Sequence, residues 1–125
     1  MPSPHGSFVW HELATRDSKA AFDFYSQLFD WEKTNQHDMG AMGIYQIYGQ
    51  QGEHYGGMFT MTPDMPFPPN WLCYIRIADM RGAVDTITRL GGKVMNGPME
   101  VPGGDLIAQC TDPQGAAFAV HERKA

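Results

Sequence analysis

The chain has 125 residues, with fourteen acids against nine lysines and arginines, for a formal charge of −5. That length suits one domain with a sizeable core. No basic run suggests a nucleic-acid partner, and no apolar run approaches the ~18 residues that a membrane helix needs.

Residues 1–6, made largely of Pro, Ser and Gly, read as a frayed leader. MPSPHGSF lacks the charged and apolar regions of a secretory signal, so a cytoplasmic location is expected. Residues 10–16 alternate as a half-buried strand. Trp10, Glu12 and Ala14 share one face, and His11, Leu13 and Thr15 share the other. Asp17 falls where a helix N-cap belongs, and Ala21, Phe24, Tyr25 and Leu28 then follow as one apolar stripe. The stripe is expected to cover the Leu13 face, with His11 packed beneath it. The Trp10/Glu12 face is left for other duties. Short strands are expected over 31–36, 44–49 and 54–62, separated by turns around Asp38, Gly40 and Gly43 and at GQQGE. The run 63–70, with four prolines, suits neither a helix nor a central strand and reads as a linker.

The pattern then recurs. Residues 71–77 form a strand, Asp79 a cap, and Met80, Ala83, Val84, Ile87 and Leu90 a helical stripe that Gly91-Gly92 stops. A shift of 62 residues lays Asp79 on Asp17, Ala83 on Ala21, Leu90 on Leu28, and Ile75 on Leu13. Three strands follow, near 93–99, 106–111 and 116–122, parted by the turns PGG and DPQG. Cys73 and Cys110 fall in strands without a CxxC pair, and read as reduced core thiols. Each half is strand, helix and three strands, with modules at about 7–62 and 71–122.

The duplicated βαβββ unit resembles the vicinal oxygen chelate superfamily of glyoxalase I, extradiol dioxygenases and bleomycin-resistance proteins. The resemblance is carried by Trp10-x-Glu12-Leu13-x-Thr15-x-Asp17, Phe24-Tyr25, Phe29-x-Trp31 and Gly56-Gly57-Met58. Trp71-x-x-Tyr74-Ile75, Gly91-Gly92-Lys93-Val94 and Asp112-Pro113-x-Gly115-Ala116 complete it. It implies an α+β fold of curled mixed sheets around a cleft, and a homodimer as the usual pairing of modules. It also implies a divalent metal held by His, Gln or Glu on the first and last strands of each module. Carried onto this chain, those positions fall on Trp10, Met58, Leu72 and Ala119, which offer no such ligand. No metal or other cofactor is therefore expected.

Strand parity adds Glu12, Gly56, Thr60, Tyr74, Ala117 and His121 to the cleft face, with His54 near its mouth. Trp10, Glu12, Met58, Thr60, Leu72 and Tyr74 are the expected ligand-binding residues, an apolar and aromatic lining suited to a flat or apolar small molecule. Met58 and Met61 add adaptability. The plainer alternative is that the apolar residues simply fill the core. Glu12 is a candidate general base or recognition group, with His121 as a possible second catalytic residue. A structural partner for Glu12, such as Arg76 or His121, is the alternative. Three functions stay open: metal-free small-molecule binding, a metal-dependent lyase, isomerase or dioxygenase, and a metal-free enzyme using Glu12. A displaced metal cage of Glu12, His54 and His121 would favour the second.

Overall fold

A computed structural model describes residues 3–125. Strand β1 (Phe8–Thr15) leads into helix α1 (Ser18–Phe29), followed by β2 (Glu32–Asp38), a short 3-10 turn (Gly40–Met42), β3 (Ile44–Gln50) and β4 (Glu53–Thr60). The second series is β5 (Asn70–Arg76), α2 (Met80–Arg89), β6 (Lys93–Glu100), β7 (Leu106–Thr111) and β8 (Ala117–Glu122). The fold is α+β, and each half is a βαβββ module. Among the described residues no helix is long and apolar enough to cross a membrane.

The backbone groups into two compact units, one of Trp10–Leu72 and the other of Cys73–Ala125 with the segment up to Val9. In the first, strands run in the order β2-β3-β4-β1, with β1 parallel to β4 and the remaining neighbours antiparallel. In the second the order is β5-β8-β7-β6, with β5 parallel to β8. A parallel first and last strand needs a crossover, which each module's helix and hairpin supply.

Both helices start where the acids predicted. Asp17 accepts from the Ala20 amide at 3.2 Å and Asp79 from the Gly82 amide at 3.2 Å. Each cap contributes about 1 kcal/mol. The stripe of α1 is rotated from the expected one. Phe22 is buried and packs with Leu13, Tyr48 and Met58, flanked by Ala21 and Tyr25. Phe24 and Leu28 are 62% and 59% exposed. Aromatics at both 22 and 24 made two helical phases readable, and the strand beneath selects the one that buries Phe22. In α2, Met80, Ala83, Val84 and Ile87 pack on Ile77, Ala108, Cys110 and Val120, while Leu90 lies past the last turn and is exposed. Burial pushes the Cys110 thiol pKa up, so this sulfur behaves as a small core hydrophobe.

The leader is better held than its composition suggested. The Gly6 amide donates to the Arg76 carbonyl at 2.7 Å, and the Arg76 amide to the Ser7 carbonyl at 2.8 Å. Residues 1 and 2 of that stretch lie outside the described residues.

Candidate functional site

The register of β1 against β4 fixes the two faces of the first unit. Glu12 pairs with Gly57 and Leu13 with Met58, so Trp10, Glu12, Gly57 and Phe59 share the face turned away from α1. On β3, Ile47 pairs with Gly57, which brings Tyr45 onto that same face. Tyr45 is its centre. The Trp10 indole Nε1 donates to the Tyr45 hydroxyl at 2.9 Å, and that hydroxyl donates to Glu12 Oε2 at 2.8 Å. A chain of this kind polarises each link, and it fixes the carboxylate beside two aromatic rings. Gly57 makes the arrangement possible: a Cβ there would stand 2.1 Å from the Tyr45 ring. Phe59 stacks beyond Tyr45 at 6.4 Å between ring centroids.

Met58 and Thr60, expected on this face, lie on the other. Met58 is 0% exposed beneath α1, and the Thr60 hydroxyl accepts from the Ser18 amide at 3.0 Å at the start of that helix. A ligand on the Trp10 face therefore touches neither. Gly56-Gly57 carries no side-chain alternation, so nothing local sets the phase of this strand. The 62-residue shift from Ala119 falls on Gly57 and agrees with the face seen in the structure. Met58→Ala is expected to destabilise the protein by about 2–4 kcal/mol in urea unfolding, as a cavity in a closed core does. Leu72 is half-buried on β5.

In the second unit Tyr74 and His121 sit in separate polar chains. Gln109 Nε2 donates to the Tyr74 hydroxyl at 3.0 Å, and Gln109 Oε1 accepts from Asn96 at 3.1 Å. His121 lies between Arg76 and Asp105. Arg76 Nε is 3.1 Å from His121 Nδ1, and His121 Nε2 is 2.9 Å from Asp105 Oδ2. A guanidinium can only donate, so Nδ1 accepts and the ring carries its proton on Nε2. Both nitrogens are engaged, which makes His121 an orienting link and leaves no lone pair for a substrate proton. Asp105 is anchored in turn by the Lys124 amide at 2.8 Å.

Burial holds the His121 pKa below its ordinary 6.5, with Asp105 pulling it up and Arg76 pushing it down. For Asp105, burial raises the pKa, but the Lys124 amide, His121 and Arg76 outweigh it and the net shift is downward. A histidine depressed in the folded state stabilises the protein above its unfolded pKa, and that contribution is lost as pH falls through the folded value. The urea midpoint should thus drop between pH 7 and pH 5, a slope that His121→Gln flattens. An unchanged slope in the variant would place the titrating group elsewhere.

Donor chemistry decides the metal positions that the resemblance implies. Trp10, Leu72 and Ala119 offer no side-chain oxygen or nitrogen lone pair, and neither Met58 nor Gly57, which stands in its place on this face, supplies one. The residues do not fit a divalent ion there. Among the described residues no three His, Cys, Asp or Glu side chains group to hold a metal ion. His54 is exposed, with Nδ1 2.8 Å from the Thr34 hydroxyl.

Paired βαβββ modules, each with a helix-free strand face carrying polar groups, define the class. A family model, the Glyoxalase/Bleomycin resistance protein/Dioxygenase superfamily, matches residues 7–120, and the chain belongs to that superfamily. It is similar to "Putative glyoxylase CFP32" of Mycobacterium tuberculosis, 34% identical over 92% of this chain and 45% of the relative. It is also similar to "Anthracycline biosynthesis protein DnrV" of Streptomyces peucetius, 31% identical over 92% of this chain and 46% of the relative. The chain thus spans about half the length of these relatives. Among solved structures, a Streptomyces coelicolor methylmalonyl-CoA epimerase variant in complex with 2-nitronate-propionyl-CoA matches with a TM-score of 0.74 at 15% identity. That match covers 98% of this chain and all of the other, and it shows the shared fold.

Proposed function

We propose that the chain binds a small, flat, largely aromatic molecule on the Trp10–Tyr45–Glu12 face, without the superfamily's usual metal. The observation that carries this reading is the Tyr45 ring laid against Gly57, with its hydroxyl relaying the Trp10 indole to Glu12. Aromatic walls supply stacking area, and one oriented carboxylate supplies selectivity for a ligand hydroxyl or amine. The relative named for anthracycline biosynthesis is in keeping with a fused-ring ligand. Two copies are expected to associate, since β2 and β6 end their strand orders with open edges.

The test is a titration with quinizarin, a neutral fused-ring probe, read by tryptophan quenching. Glu12→Ala should raise the Kd about tenfold while moving the urea midpoint little, because a charge-assisted hydrogen bond is lost from a half-buried position. Equal affinity in mutant and native protein, or no saturable quenching in either, would sink the reading. The Tyr45–Glu12 contact also favours a second reading, metal-free proton transfer with Glu12 as base. Under it, Glu12→Gln would keep probe affinity and lose turnover. A metal-dependent lyase, isomerase or dioxygenase would need donors that the family positions lack.

A further inference from the structure

Five aromatic side chains line an open cavity of about 420 Å³ in the first unit: His11, Trp31, Tyr48, Tyr55 and Trp71. His11 alternates with Trp10 and Glu12 along β1, so the cavity opens on the opposite face from the one proposed above. Nor does α1 cover it: His11, expected beneath that helix, is exposed. The rings stand as the walls of a box. Trp71 meets Trp31 at 80° and Tyr48 at 71°, and Tyr55 meets Tyr48 at 81°. Tyr48, 1% exposed, backs the cavity from the core, and Trp31 leans against it with centroids 4.6 Å apart.

Both tyrosine hydroxyls of the box are already committed. The Tyr48 hydroxyl donates to the His11 carbonyl at 2.9 Å, and the Tyr55 hydroxyl to Gln50 Oε1 at 3.0 Å. No Lys, Arg, Asp or Glu lines the cavity. A primary ammonium placed there would lose hydrogen bonds to water and regain few. A quaternary ammonium has none to lose, and it gains from the negative faces of several rings at once. The chain's formal charge of −5 favours the approach of a cation over an anion. The same unit already shows such a contact, with the Lys33 ammonium 5.4 Å above the Phe22 ring.

We propose that this box binds a small organic cation with a trimethylammonium-type head. Three probes decide the question: choline, its neutral isostere 3,3-dimethylbutan-1-ol, and phosphatidylcholine vesicles. The readout is the indole Nε–H resonances of Trp31 and Trp71, with Trp10 as the tryptophan outside the box. Choline should shift Trp31 and Trp71 saturably and leave Trp10 in place, and the isostere should bind at least tenfold more weakly. Trp71 is 39% exposed but also packs on Trp31 and Tyr48, so the urea midpoint of each Trp71 variant is read beside its affinity. Trp71→Leu should weaken choline about tenfold, and Trp71→Phe should restore most of that affinity. Equal binding of the isostere would make the box a plain apolar pocket and overturn the proposal. So would the absence of a saturable shift, a shift confined to Trp10, or an unaltered affinity in both Trp71 variants. Binding to vesicles without binding to free choline would replace the small cation with a lipid surface.

Discussion

Gly56→Ala will destabilise the protein by more than about 3 kcal/mol, a large loss for a single methyl group. A Cβ at this position would stand 1.7 Å from the His11 carbonyl oxygen, on the backbone of the strand that pairs with β4. It would also come within 2.9 Å of the Tyr48 hydroxyl, which crosses Gly56 to reach that same carbonyl. A flexible side chain could turn aside, but a paired strand cannot. Relief requires β1 and β4 to separate, which breaks the ladder from His11–Gly56 to Thr15–Thr60. Urea unfolding measures the loss. A midpoint near that of the native protein would show that the strands can part here at little cost.

Gly57→Ala, one residue on, should act on binding more than on folding. Its Cβ would meet the ring of Tyr45, whose side chain can swing away where a backbone carbonyl cannot. The expected stability loss is only about 1–2 kcal/mol. Once displaced, however, Tyr45 releases both Trp10 and Glu12, so affinity for the fused-ring probe should fall tenfold or more. Tyr45→Phe separates the two contributions. It keeps the ring stacked toward Phe59 while removing the hydroxyl that joins Trp10 to Glu12. If it binds the probe as Gly57→Ala does, the hydrogen-bond chain matters; if it binds as the native protein does, the ring alone matters. Native affinity in Gly57→Ala would remove Tyr45 from the site altogether.

Much of the fold could be read from local chemistry. Asp17 and Asp79 marked both helix starts because a cap needs only its own carboxylate and an amide three residues on. Some strands emerged as short, mostly apolar runs bounded by turn residues, as β7 does between PGG and DPQG. At Gly56-Gly57 alternation stops, and the sequence does not tell which face Met58 and Thr60 take. At Phe22 and Phe24 two apolar phases overlap, and only the strand beneath decides between them. The site was less legible because its connections are long-range. Tyr45 reaches Glu12 across 33 residues and Trp10 across 35, and Arg76 reaches His121 across 45. Nothing in the neighbourhood of any of these residues announces its partner. Glu12 stood out as an acid on a strand face, but the tyrosine that orients it did not.

The two modules also preserve a record of divergence. Leu13 and Ile75, Tyr48 and Cys110, and Met58 and Val120 are each 62 residues apart, and all six pack beneath a helix or beside those that do. Among their opposite-face counterparts at the same interval, Glu12 and Tyr74 differ in charge and Phe59 and His121 in polarity, while Gly57 and Ala119 are alike only in being small. An ancestral duplication would leave this signature. Selection on packing held one side of both copies to a common hydrophobic vocabulary, while the other side of each was released to specialise. The carboxylate of one half and the histidine relay of the other are then separate acquisitions on a common skeleton, and neither is a decayed version of the other.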